Sequence, residues 1–101
     1  MSRKALLLRL HNEQIVGVVR EDSAETAEAV ADAYARNGIK FLEVTLTTPD
    51  ALDLIAKLHE RYSPHDIVIA AGTVRNANDA ALARRAGAEV IVSPHTDVQV
   101  I

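Results

Sequence analysis

A chain of 101 residues has room for one modest domain, and 49% hydrophobic with 25% charged residues is a globular profile rather than a disordered or fibrous one. A formal charge of −3 argues against nucleic acid as the main partner, because phosphate contacts require a basic surface. The lack of cysteine excludes a disulfide framework and thiolate chemistry and is compatible with the cytosol, while Tyr34, Phe41 and Tyr62 as the only aromatics imply an aliphatic, alanine-rich core.

The chain opens with MSRKALLLRLHNEQ, whose apolar run is cut at Arg9 and is too short for a signal peptide core or a membrane span. Leu6, Leu7 and Leu10 fall on one helical stripe, so the spacing predicts an amphipathic starting helix in a soluble, intracellular protein. Apolar, β-branched runs follow at 15–19, 41–46, 67–70 and 90–92, and their starts lie 26, 26 and 23 residues apart. Each gap carries a helical pattern. Asp22 with Glu25 predicts a capping box, Ala27, Val30, Ala31 and Tyr34 an inner stripe, and Gly38 a stop. Thr48 is expected to cap the next helix with Pro49 at its first position, and Leu52, Ile55 and Leu58 to face inward. The last helix is expected to open at Asn76, with Asp79 in its first turn, and to stop at Gly87.

RNGIKFLEV and RAGAEVIVS share the plan Arg-x-Gly-x-charged-apolar at positions 36 and 85, 49 residues or two βα units apart. Strands apolar on both faces that alternate with helices imply a parallel sheet with right-handed crossovers. No linker or low-complexity tract divides the chain, so residues 1–101 are expected to form one domain of βαβαβαβ order. That order fits either a four-stranded open doubly wound sheet or the first half of a (β/α)8 barrel. A half-barrel leaves its first and last strands unpaired, and such edges invite a second chain.

In both architectures chemistry belongs at the C-terminal ends of the strands. Those ends carry Arg20, then Glu43 with Thr45 and Thr47, then Thr73, then Ser93 and His95. Alternation puts Glu43, Thr45 and Thr47 on one face and Leu42, Val44 and Leu46 on the other. Glu43 is the anomaly, because a carboxylate inside a strand is paired or working. It reads either as a structural partner of Arg20 or as a proton shuttle whose pKa desolvation raises toward neutrality. Arg20 reads as a surface charge or as an anion ligand, Thr73 as the lead into a helix or as a ligand contact, and Ser93 and His95 as shapers of a proline turn.

The chain contains no GxGxxG, no glycine-rich Lys-Ser/Thr phosphate loop and no HExxH, and its histidines are scattered without spaced partners. No metal and no cofactor is expected.

GIKFLEVTLTTPDAL, VIAAGTVRNANDA and AGAEVIVSPH, with VGVVR ahead of them, resemble the 2-keto-3-deoxy-6-phosphogluconate (KDPG) and 4-hydroxy-2-oxoglutarate (KHG) aldolases from about residue 5 to the last residue. The resemblance implies the N-terminal half of a (β/α)8 TIM barrel with an extra N-terminal helix, usually a cytoplasmic homotrimer. It also implies class I aldol cleavage of a keto acid to pyruvate and an aldehyde, with no nucleic acid or membrane partner. A lysine of the family forms a Schiff base, and a glutamate matching Glu43 moves protons. Thr73 matches the threonine lining the carboxylate site, Arg20 the basic residue of the first strand, and Pro94 the turn beneath the site.

Two departures bear on function. Many members carry LEVTLRT, and Thr47 stands where their arginine holds the substrate carboxylate. The Schiff-base lysine of the family lies on a later strand. Lys4, Lys40 and Lys57 are expected in the leading helix, at the far end of the second strand and on a solvated helix face. The chain alone is therefore expected to hold the proton shuttle without the nucleophile. The competing expectation is a non-catalytic half-barrel that associates through its open edges.

Overall fold

The computed structural model describes residues 2–94, so His95 lies outside the described residues. The elements are α1 (Arg3–Glu13), β1 (Gly17–Val19), α2 (Ala24–Arg36), β2 (Phe41–Thr45), α3 (Ala51–Tyr62), a 3-10 turn (Ser63–His65), β3 (Val68–Gly72), α4 (Ala77–Ala86) and β4 (Val90–Ile91). The strands form one parallel sheet in the order β1-β2-β3-β4. Every crossover is a helix, as parallel neighbours require.

One face of the sheet carries the core. Val19, Leu42, Val44, Ile69 and Ala71 point into a cluster with Ala27 and Ala31 of α2, Leu54, Ile55 and Leu58 of α3, and Ala83 of α4. Burying each of Leu42, Ile55, Leu58 and Ile69, all 0% exposed, contributes roughly 1.5–3 kcal/mol. Small residues let the helices approach. Gly17 is one such case, since a Cβ there would stand 2.7 Å from the Tyr34 ring of α2.

Charged side chains join α2 to α3 outside this core. Arg61 donates to Glu28 at 2.8 Å and to Asp32 at 2.9 Å, Lys57 reaches Glu28 at 3.1 Å, and the Tyr62 hydroxyl donates to Asp32. The Arg61 hydrogen bond, then that of Lys57, holds the Glu28 carboxyl below its usual range.

Several expected boundaries move. β1 begins at Gly17, with Ile15 and Val16 exposed ahead of it. The cap of α2 is Ser23, whose Oγ accepts from the Thr26 N–H at 3.1 Å, so Asp22 and Glu25 form no capping box. α3 starts at Ala51 behind Asp50, not at Thr48–Pro49, because the Thr48 N–H is spent on the Thr45 carbonyl in a turn. α1 buries no residue, and Leu7 and Leu8 are exposed, so the predicted stripe is used only through half-buried Leu6 and Leu10. Asn76 and Gly87 bound α4 as expected, with Asn76 Oδ1 accepting from the Asp79 N–H at 2.8 Å. No helix among the described residues is long and apolar enough to cross a membrane.

Candidate active site

The second face of the sheet is left open by α2, α3 and α4, with Arg9 of α1 over Phe41 at its N-terminal end, and the parallel register lines up Val18, Glu43, Ala70 and Val90 across it. Glu43 sits in the middle of this row, half-buried, on the two central strands' seam. Its carboxyl group leans toward the C-terminal ends and lies over Gly72 of β3. Among the described residues it makes no ion pair and no hydrogen bond. Arg20 is turned elsewhere, with Nη2 donating to Thr73 Oγ1 at 3.1 Å.

Thr73 follows β3 directly and holds φ at 56°, a left-handed conformation that β-branched residues rarely adopt. The Val74 N–H beyond it donates to the Val92 carbonyl at 3.1 Å, which brings the approach to exposed Pro94 alongside the Thr73 turn. At the end of β2, Thr45 Oγ1 lies 3.0 Å from Thr47 Oγ1 and 3.2 Å from Thr48 Oγ1, and Thr48 accepts from the Glu21 N–H at 3.4 Å. Thr45 and Thr48 are buried while Thr47 is exposed. These hydroxyls fix the β2 end to the segment after β1 and present Thr47 to solvent.

Arg20 and Thr73 are thus brought together, Thr47 is tied to its own threonine neighbours, and Pro94 lies beyond β4. Reading the sequence missed the positions of Thr48 and Gly72. The TLTT repeat signals a hydroxyl cluster, and Gly before Thr at the end of an apolar strand signals a close approach. A cavity of about 400 Å³ lies at the β2–α3 turn, and Asp50, Asp53 and Asp79 line it. Three carboxylates make that lining acidic and unsuited to an anionic ligand. Among the described residues no group of three or more His, Cys, Asp or Glu could hold a metal.

A helix-backed parallel sheet of this order with its polar set at the strand ends is the N-terminal half of a (β/α)8 barrel. Solved aldolase barrels superpose on it. KDPG aldolase of Zymomonas mobilis ZM4 with 3-phosphoglycerate gives a TM-score of 0.72 at 35% identity, over 84% of this chain and 39% of that one. The Legionella pneumophila enzyme, with pyruvate captured as a covalent carbinolamine, gives 0.70 at 32% identity over 84% and 40%.

The family model of KDPG and KHG aldolase matches residues 7–101, and the chain belongs to that family. It is 33% identical over 96 residues to 2-dehydro-3-deoxy-phosphogluconate aldolase of Haemophilus influenzae, covering 95% of this chain and 44% of that protein. Against the Zymomonas mobilis enzyme it is 43% identical over 77 residues, covering 76% and 35%. The chain spans less than half the length of these relatives.

Proposed function

We propose that the chain supplies the proton-transfer wall of a class I aldolase that cleaves a 2-keto-3-deoxy sugar acid, carried as its phosphate, to pyruvate and an aldehyde. The observation that carries this reading is the half-buried Glu43 carboxylate without a partner among the described residues, on the face that α2, α3 and α4 leave open. Retro-aldol cleavage needs a base for the C4 hydroxyl proton and an acid that returns a proton to C3. A free carboxylate on a rigid strand can serve both steps in turn. Arg20 and Thr73, already hydrogen-bonded together, are assigned to the substrate carboxylate. Thr47 and Pro94 are assigned to the rim, and Thr47 makes that rim less basic than the arginine common in the family.

The carbinolamine of the Legionella enzyme supports an amine nucleophile. Lys4 lies in α1, Lys57 pairs with Glu28 on α3, and Lys40 precedes β2 at the end remote from the strand C-termini. The proposal therefore assigns the Schiff-base lysine to a strand that this chain does not supply. The same reading includes a cytoplasmic homo-oligomer, a trimer as in the family, acting in sugar-acid breakdown.

Two measurements test it. Incubating the chain with pyruvate and borohydride is expected to leave its intact mass unchanged, and a stable pyruvyl adduct on this polypeptide would refute the lysine assignment. In the complete barrel, Glu43→Gln is expected to lower kcat about 10²- to 10⁴-fold. Unchanged turnover removes Glu43 from the chemistry.

A second reading, a non-catalytic half-barrel that pairs through its edges, is favoured by the exposure of Val18 (46%) and Val92 (39%) on the outer strands and their extensions. Self-association of the chain, without turnover in any assembled barrel, distinguishes it.

A further inference from the structure

Gly72 pairs with Thr45 in the β2–β3 register and belongs to the face that carries Glu43. Its φ lies outside the left-handed region, so the backbone there does not require glycine. Glycine weakens a strand interior, and where it stands in one, a close neighbour is the usual reason. An ideal Cβ on Gly72 would stand 2.4 Å from Glu43 Oε2, 2.8 Å from its Cδ and 2.9 Å from its Cγ. The Glu43 side chain fills the space a methyl group would take. At Gly17 the same kind of space admits a packed ring, whereas here it admits an ionisable end.

We propose that Gly72 is a positioning residue for Glu43. The bare Cα lets the carboxyl group lie along β3, aimed at the strand C-termini, and the walls of that space fix which way it points. This rests on Glu43 being the proton-transfer group. Holding such a group on a rigid strand matters because a displacement of about 1 Å can cost about 100-fold in rate.

The colliding atoms belong to the end of one flexible side chain rather than to backbone. Alanine at position 72 is therefore met by rotation of Glu43, so folding and positioning separate. The test is Gly72→Ala in protein labelled with carboxyl-¹³C glutamate, with the Glu43 resonance identified by its loss in Glu43→Gln. The expected result is a moved Glu43 resonance, with the other six glutamates in place and the circular dichroism unchanged. An unmoved resonance overturns the seat, whatever turnover does.

In the aldol cleavage assay of the complete barrel, Gly72→Ala is expected to lower kcat about 10- to 100-fold with KM little changed. Unchanged kcat where Glu43→Gln abolishes turnover overturns the positioning role. Turnover that survives Glu43→Gln instead sinks the proton-transfer reading, and the positioning role with it. Should Gly72→Ala fail to fold, Glu43→Ala added to it is expected to restore folding by emptying the space. A double variant that stays unfolded refutes the coupling.

Discussion

Thr73 holds its left-handed backbone at a cost of roughly 1–2 kcal/mol, and in return its hydroxyl meets Arg20 at the mouth of the sheet. Strain of this kind is kept where a side chain has to be aimed. Thr73→Gly is therefore expected to raise the thermal midpoint, by roughly 4 °C per kcal/mol of strain released, and to weaken keto-acid binding as Arg20 loses its acceptor. A lower midpoint with unchanged binding would show that Thr73 serves the fold alone. At this scale the sequence was legible where alternation decides, since period two alone puts Glu43 opposite the helix-facing Leu42 and Val44. It was not legible where local chemistry is ambiguous. Thr48 before Pro49 satisfies the rules for a helix cap, yet its hydroxyl is drawn to Thr45 and to the Glu21 N–H, the latter a partner that only the packed strands supply.

Element boundaries depend on which of several adequate residues wins. Asp22 and Ser23 both suit an N-cap, and the structure gives the role to Ser23. Ser23→Ala is expected to cost about 1 kcal/mol and Asp22→Ala less than about 0.5 kcal/mol, read from urea midpoints. The reverse order would put the cap one residue earlier. The α2–α3 seam was not visible in the sequence, because Arg61 lies 29 and 33 residues from Asp32 and Glu28 and each reads singly as a surface charge. Its pH response has a definite sign. Glu28 has a depressed folded pKa, so the stability it adds is present above its ordinary value of 4.5 and is lost as the pH falls through the lower folded value. Glu28→Gln should therefore lower the urea midpoint at pH 7, with the gap to the wild type closing as the pH falls below the ordinary carboxylate value. A gap that persists in acid would assign the effect to packing.

The strand-helix rhythm made the barrel wall readable, because spacings of 26, 26 and 23 residues fit βα units and little else. Period alone could not separate an open sheet from a half-barrel, since both obey the same crossover rule. The strand order and the aldolase barrels that superpose on it do so. Ile15 (57% exposed) and Val16 (39%) lead into edge strand β1. Such an edge accepts another strand, and lysine is the usual deterrent. The chain is expected to show mass rising with concentration in sedimentation, and Val16→Lys to suppress it; a monomer at all concentrations would mean that the edge is already protected. At the opposite end from the site, Arg9 stacks 5.6 Å from the centre of the Phe41 ring and pairs with Asp66 at 2.9 Å, while no residue of α1 is fully buried. A helix moored largely through one cation answers to electrolyte rather than to core packing. Rising ionic strength slackens that mooring and uncovers the floor of the wall, while the hydroxyl chain and Glu43 at the rim stay as they were.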